Sequence, residues 1–464
     1  MTPALSPSAE AAYAEYAQAV DRIRHQLGEL GSDEPVRLAK STSNLFRVRD
    51  ATSSPGLDVS AFSGVLHVDV KARTADVLGM TTYEDLVDAT LRHGLMPMVV
   101  PELKTITLGG AVTGMGIEST SFRNGCPHES VLDFDVLTGD GRVITVTPDG
   151  EHSDLFTGFP NSYGTLGYAL RLRIELQPVK PFVALEHYVQ QSAAAAADLI
   201  DEIASSGMHR GRPVDFLDGV VFRPDRIVVT VGRFTDEAPY LSDYTRRRIY
   251  YRSLEQRSSD FLTVRDYIWR WDTDWFWVSR ALGVQHPLVR PLLPRRLLRS
   301  DVYWKVVGFE RRHGWKQAID QRLGKPAREP VIQDVEVPVE RLAEFLDFFE
   351  RDIGITPVWL CPLRQRRADV TWDLYALDPE TTYVNLGFWA TVPEEPGQRD
   401  GHHNRMIEDK VTELGGRKSL YSSSYYAEDD FWRIYNGSQY QLLKKQYDPQ
   451  SRLLDLYAKC VRDR

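Results

Sequence analysis

The chain predicts an α+β fold made of two β-rich units, and three observations carry that reading. From Pro35 to Pro178 short β-prone runs dominate, with one helix among them. After Pro178 and Pro181 a pattern of helix followed by strands occurs twice, which suggests one larger α+β unit with an open sheet. In the middle of the first unit lies Pro101 to Gly125, PELKTITLGGAVTGMGIESTSFRNG, where glycines alternate with small and hydroxylated residues. So little side-chain bulk lets another backbone, or a large flat ligand, come close.

Each element has its own signal. MTPALSPSAEAAYAEYAQAVDRIRHQLG reads as an amphipathic helix capped by Ser8, and its lack of a continuous apolar run excludes a signal peptide or a membrane span. VRLAK, VLHVDVKA, VLDFDVLTG, RVITVT and YALRLRIEL read as strands, and Thr82 to His93 as the helix that interrupts them. Asp140-Gly141 sits between two strand-like runs and predicts a hairpin. In the second unit VALEHYVQ is a strand, SAAAAADLIDEIASS a helix, and VDFLDGVVFRPDRIVVTVGRF two strands around Pro224-Asp225. PVIQDVEVPV, RLAEFLDFFERDI, TPVWLCPL and YVNLGFWATV repeat the type as strand, helix, strand, strand. From Tyr267 to Trp304 runs a segment dense in Trp and Arg, and from Glu428 the chain reads as helical.

Composition narrows the function classes. At 464 residues the chain is long enough for two to three domains. A net charge of −9 argues against a general nucleic-acid binder. Cys126, Cys361 and Cys460 are far apart and odd in number, so neither a disulfide framework nor a cysteine metal site is expected, and a reducing compartment fits. His128 and the His402-His403 pair have no second ligand cluster beside them, so they are read as surface or capping residues and no metal is expected. Of the 56 basic residues 44 are Arg, a bias typical of GC-rich bacterial coding.

The glycine-rich segment fits neither common nucleotide motif. Gly114-Met115-Gly116 is followed by Ile117, Glu118 and Ser119, with no third glycine in place and no clear helix, so it is not a dinucleotide loop of the G-x-G-x-x-G kind. It is also not a GxxxxGK[ST] phosphate loop. What remains is a long loop of backbone N–H donors and hydroxyls that could cradle a pyrophosphate. Two further segments fit the same ligand: Lys40-Ser41-Thr42-Ser43-Asn44 and Asn161-Ser162-Tyr163-Gly164-Thr165-Leu166-Gly167.

In their order these segments resemble the vanillyl-alcohol-oxidase type of FAD-binding family, and more narrowly the delta-24 sterol reductase family. The stretches that carry the resemblance are VVPELKTITLGGAVTGMGIESTSFRNG, SDLFTGFPNSYGTLGYALRLRIELQP, IQDVEVPVERL, TPVWLCPL and SLYSSSYYAEDDFW, spread over nearly the whole chain. The resemblance implies an N-terminal helix (1–34), a two-part FAD-binding domain (35–180), an α+β substrate or cap domain with an open sheet (181–427, with the Trp/Arg insertion at about 265–304) and a C-terminal helical segment (428–464). It implies FAD contacts from Ser41, Thr42, Ser43 and Asn44, from Thr107, Leu108, Gly109, Gly110, Gly114, Gly116, Ile117, Glu118, Ser119, Ser121 and Gly125, and from Asp154, Gly164, Thr165 and Leu166. Many relatives attach FAD through a His in the first loop or a Cys in the second. KSTSN has no His and Pro101-Glu102-Leu103 no Cys, so non-covalent FAD is expected. KSTSN also lacks the glycine usual there, and the membrane span that opens the animal reductases has no counterpart here.

The family's chemistry is NADPH-dependent saturation of an isolated C=C. Such an alkene has no carbonyl to accept negative charge, so protonation first, then hydride, is the expected order; this needs an acid and aromatic faces that tolerate a cation. Tyr421, Asp334 and Glu118 are the candidate acids, and Trp359, Cys361 and Tyr425 the candidate substrate contacts. Each has a plainer alternative: Asp334 as a turn cap or ion pair, Glu118 as an organiser of the loop, Tyr421 and Tyr425 as wall residues, Cys361 as a buried small hydrophobe. The Trp/Arg segment is either an aromatic core stripe or an interfacial surface, with Trp at headgroup level, Arg on phosphates and PLVRPLLPRRLL dipping into acyl chains. The expected substrate is a lipid: a methylene-branched fatty acyl chain, 10-methylene to 10-methyl stearoyl on phospholipid, made by an S-adenosylmethionine-dependent methyltransferase partner. A sterol side chain, or alcohol or sugar-lactone oxidation on the same fold, are the alternatives. The expected location is the cytoplasm with peripheral contact at the inner face of the membrane.

Overall fold

The computed structural model describes residues 6–31, 34–40, 56–313, 322, 324 and 326–462. An antiparallel sheet organises the first unit. Across it run Val65–Asp69, Thr74–Leu78, Tyr168–Pro178, Val131–Leu137 and Val143–Val146, and Leu95–Pro97 pairs with the far end of Tyr168–Pro178. The hairpin at Asp140-Gly141 is present: Leu137 faces Val143, and Gly141 takes a φ of +89° that a side chain would resist. The central strand alternates. Leu170, Leu172, Ile174 and Leu176 are buried, while Arg171 between them bonds Asp76, Asp133 and Asp135. The helix Pro7–Glu29 lies on this unit through Ile23 and Leu27, and Tyr16 donates to Asp135 at 2.7 Å. Its cap is Ser6 and not Ser8, because Pro7 takes the first helical position, where a missing N–H costs nothing.

The second sheet has eight antiparallel strands. Their order is Ser259–Thr263, Phe182–Gln190, Arg226–Thr235, Phe216–Arg223, Val358–Leu363, Tyr383–Pro393, Arg328–Pro338 and Arg417–Lys418. The helices Ala193–Ser206 and Leu342–Asp352 cover one face. Ile200, Ile203, Phe345 and Phe349 there pack on Val229, Leu360, Leu386 and Val335. Period 2 then sends the alternate residues of the same strands the other way. Trp359, Cys361 and Trp389 belong to the core shared with the first unit.

The Trp/Arg segment joins that shared core. Trp269, Trp271, Trp275 and Trp277 are all at most 5% exposed, so they do not sit at a membrane surface; the core-stripe alternative describes them. Within PLVRPLLPRRLL the picture differs: Leu288 is 75% exposed and Leu292 81%. No helix among the described residues is long and apolar enough to cross a membrane.

Candidate functional site

A cavity of about 260 Å³ opens where the glycine-rich segment meets the inner face of the second sheet. Pro101, Glu102, Thr107, Gly110, Gly114, Gly116 and Ile117 form one side. Asp334, Trp359, Asn385, Trp389 and Tyr421 come from the second sheet and the segment after it, Trp275 and Phe276 from the Trp/Arg segment, Tyr163 from the second glycine turn, and Lys40 from the edge of the first loop.

The glycine-rich segment is not loop throughout. Leu108–Gly114 forms a seven-residue helix. Its glycines oppose helix formation, but local and tertiary bonds hold it. Thr107 Oγ1 accepts the Gly110 N–H at 3.2 Å, and Thr113 donates to the Gly109 carbonyl at 2.8 Å. The Gly109 N–H meets the Gly79 carbonyl at 2.9 Å, and a Cβ on Gly109 would lie 2.7 Å from that same oxygen. Gly109 therefore serves backbone packing. Gly110 serves the cavity: a Cβ there would meet only the Thr107 hydroxyl, so bare backbone faces a ligand.

Unfavourable backbone concentrates at this cavity. Met115 (φ +63°), Tyr163 (+52°), Trp275 (+44°) and Phe276 (+56°) all line it in a region where side chains cost about 1–3 kcal/mol each. A fold keeps such strain where the resulting side-chain placement matters. Here the strain places Phe276 face to face with Trp389, centroids 4.2 Å apart, and 5.2 Å from Trp359.

Tyr421 and Asp334 come together on this wall. The Tyr421 hydroxyl bonds the Asp334 carboxylate and accepts Trp389 Nε1–H at 3.1 Å, and Asn385 donates to Asp334 at 3.0 Å. Burial raises Asp334 to about 6, held back by those two donors. Tyr421 is pushed well up by burial and by the Asp334 charge.

Glu118 stands behind the wall instead of on it. Its Oε1 accepts the Ser119 N–H at 2.7 Å and Arg270 Nη2 at 2.8 Å. Arg270, wholly buried, also bonds Asp218 at 2.8 Å, and Asp218 accepts Trp359 Nε1–H at 3.4 Å. Burial pushes Glu118 up, but Arg270 and the hydrogen bonds win and hold it below the usual carboxylate range. A carboxylate so held is a poor proton donor, and the loop-organising alternative describes Glu118. Its partner is Glu102, which sequence reasoning missed: a single acid in a PEL turn gives no periodic signal.

The remaining candidates divide. Thr107, Gly110, Gly114, Gly116 and Ile117 line the cavity, whereas Leu108, Gly109, Ser119, Ser121 and Gly125 build the scaffold behind it. Ser119 bonds Tyr267 at 2.9 Å, Ser121 accepts the Glu118 N–H at 3.0 Å, and Gly125 at φ +67° leaves room for Glu129. Gly164 (φ +74°), Thr165 and Leu166 shape the turn that presents Tyr163, and Asp154 accepts the Tyr447 hydroxyl at 2.6 Å; none of the four lines the cavity. Cys361 is fully buried beneath the wall. Tyr425 is displaced from the cavity: its N–H bonds Glu408 and its ring lies under Arg405, 5.2 Å from the guanidinium. Ser41, Thr42, Ser43 and Asn44 fall outside the described residues.

The cavity fits a flavin. The bare backbone at Gly110 suits a close-approaching phosphate or ribityl chain. A protein-family profile described as "FAD binding domain" matches residues 31–147. The chain is similar to a "Delta(24)-sterol reductase" of Pisum sativum, at 24% identity over 88% of this chain and 76% of that one. It is similar to the protein of the same name from Homo sapiens, at 25% over 85% and 75%. A "Cytokinin dehydrogenase 2" of Oryza sativa subsp. japonica matches at 30% over 36% of this chain and 30% of its own length. Residues 31–147 match the FAD-binding domain family, most of the chain is similar to delta(24)-sterol reductases, and an FAD-dependent oxidoreductase is what these matches and the cavity have in common.

Proposed function

We propose that the chain reduces an isolated C=C in an apolar lipid, with NADPH as electron donor and FAD bound non-covalently. One observation carries this reading: a flavin-sized cavity whose wall combines stacked aromatic faces with the hydrogen-bonded Tyr421–Asp334 pair. Bound flavin supplies hydride. The chain's own residues orient the alkene against the Phe276, Trp359 and Trp389 faces and keep water out. Their π-electrons, with the Asp334 carboxylate, favour positive charge at carbon. Among lipids, the best reading is a methylene-branched fatty acyl chain on phospholipid, as in the bacterial branch that the Arg-rich composition suggests. Protonating a 1,1-disubstituted methylene gives a tertiary cation. A methyltransferase then supplies the substrate. A sterol side chain is the second reading, favoured by the names of the relatives.

The test uses the purified holoenzyme, bleached anaerobically by NADPH. A methylene-branched phospholipid is expected to restore the oxidised flavin spectrum and yield the methyl-branched chain by mass, whereas a side-chain-unsaturated sterol is not. Reoxidation by the sterol alone selects the second reading. Bleaching by a polyol in place of NADPH would overturn both.

A lipid held in a bilayer must be reached, and the exposed Leu288 and Leu292, close in sequence to Arg295 and Arg296, suit a peripheral contact at an anionic surface. Anionic vesicles are expected to sediment the protein, and Leu288→Asp with Leu292→Asp to reduce that binding at least about tenfold. Sedimentation that does not change in the double variant removes this face from the contact.

A further inference from the structure

The cavity contains one acid that neither the sequence patterns nor the family resemblance brought forward. Glu102 is only 5% exposed and lines the cavity on the glycine-rich side. Its carboxyl meets that of Glu118. Glu102 Oε1 and Glu118 Oε2 are both buried and neither has an N–H or O–H donor among the described residues. Two carboxylates cannot face each other ionised in such a place; one proton between them satisfies both oxygens.

The surroundings decide which carboxyl holds that proton. Glu118 accepts from Arg270 and from the Ser119 N–H, which favour its charge. Glu102 has no direct bond to Arg270, which is already divided between Glu118 and Asp218; the charge of Arg270 and a backbone N–H favour the Glu102 carboxylate less than burial and Glu118 oppose it. Cys361, itself pushed up by burial, is a further titratable group that feels the Glu102 charge. Burial, then the Glu118 charge, hold Glu102 well above the usual carboxylate range.

The geometry assigns Glu102 as the catalytic acid of the alkene reduction, with Glu118 as the positioning residue that keeps it protonated; this rests on the reductase reading above. The alternatives on the wall are weaker acids or lack the proton. The Tyr421 phenol is a far weaker acid than a carboxyl and is committed to Asp334. Asp334, with two donors on it, is better suited to remain an anion beside the developing cation. In the step, the Glu102 O–H bond breaks as the alkene π pair forms a C–H bond at the less substituted carbon. The more substituted carbon is left cationic and takes hydride, whose two electrons come from the nicotinamide donor by way of the flavin. Glu102, now a carboxylate, regains its proton from water after product leaves.

The test compares holoenzyme with Glu102→Gln and Glu118→Gln. Glutamine at 102 can still donate to Glu118 Oε2, so the network stays bonded while the transferable proton is gone. Infrared difference spectra, wild type minus Glu102→Gln, are expected to show a buried protonated-carboxyl band that shifts in D2O, separate from the band that Glu336 gives in both proteins. In Glu102→Gln, reoxidation of the reduced flavoprotein by the lipid alkene is expected to slow about 100-fold or more. In Glu118→Gln the loss of the neighbouring charge lowers Glu102's affinity for its proton, so the fall in rate with rising pH moves to lower pH. If the wild-type protein is reoxidised by no lipid alkene, the reductase reading itself fails. If the wild type is reoxidised and Glu102→Gln keeps its rate or loses no protonated-carboxyl band, Glu102 is not the acid. A slow Tyr421→Phe beside an unaffected Glu102→Gln would move the role to the Tyr421–Asp334 pair.

Discussion

Replacing Arg270 with leucine is expected to destabilise the protein by about 3–5 kcal/mol at neutral pH, the cost of leaving buried charges without their partner. Arg270 is wholly buried, and its guanidinium bonds Glu118 and Asp218 at 2.8 Å each. It also lies over the Tyr267 ring, 4.1 Å from the centroid. Leucine restores the apolar volume but none of these contacts. Glu118 and Asp218 would then have to take protons or break out to water. The sign of the pH dependence follows. In the native protein the Glu118 pKa is depressed, so its pairing contributes stability above the unfolded pKa, and this is lost as pH falls. In the variant burial acts alone and raises the pKa, so the penalty grows as pH rises. The gap between native and variant should therefore be widest at neutral pH and narrow toward pH of about 4. Urea unfolding at a series of pH values measures it. Removing the acids together with the base, as Arg270→Leu with Glu118→Gln and Asp218→Asn, should recover a large part of the loss. A deficit below about 1 kcal/mol at neutral pH would show that the network is solvated and contributes little.

The same network shows why the glycine-rich wall of the cavity was more legible in the sequence than the side chains around it. Glycine at 109, 110, 114 and 116 is dictated locally, by backbone contact with Gly79 and by bare backbone at the cavity, so its density is visible along the chain. Asp334 and Trp359 were legible for another reason. Alternation in IQDVEVPV and PVWLCPL puts them on one face of a sheet. The same alternation in YVNLGFWATV would have found Asn385 and Trp389, both of which line the cavity. Arg270 lies 52 residues from Asp218 and 152 from Glu118, and Glu102 is further still from Arg270; they meet only once the two sheets pack. No spacing rule joins them. The Trp cluster misled for a related reason. Trp and Arg together suit both a membrane interface and a buried cation–π core, and only the burial of Trp271 and Arg270 decides between them. Helix formation at Leu108–Gly114 was hidden because three tertiary contacts, and not propensity, hold it.

A second large effect is expected at Glu336, two residues along the same strand face from Asp334. Glu336 is fully buried, accepts from the Tyr375 hydroxyl, and accepts from Ser419 at 3.2 Å. Burial, with the nearby Asp334 charge, raises it to about 8. Here the linkage sign is opposite to that of Glu118. A carboxyl whose folded pKa lies above its unfolded value binds its proton more tightly in the fold, so stability falls as pH rises from the unfolded pKa toward 8 and is flat beyond. Glu336→Gln keeps the shape and the neutral state and removes that slope. At pH near 4 the variant should match the native protein or fall slightly below it, because one hydroxyl contact must rearrange. Above pH 8 it should be more stable, by on the order of 2–5 kcal/mol. At neutral pH Glu336 is already neutral, so Asp334, set by its burial and by Asn385 and Tyr421, should change little in the variant. Thermal unfolding between pH 4 and 9 gives the stability difference. Parallel curves for the two proteins would mean that Glu336 is ionised in the fold, with water reaching it beneath Ser419. A crossing near the unfolded carboxyl pKa would place a buried proton next to the catalytic wall, held there because only the neutral acid fits between Tyr375 and Ser419.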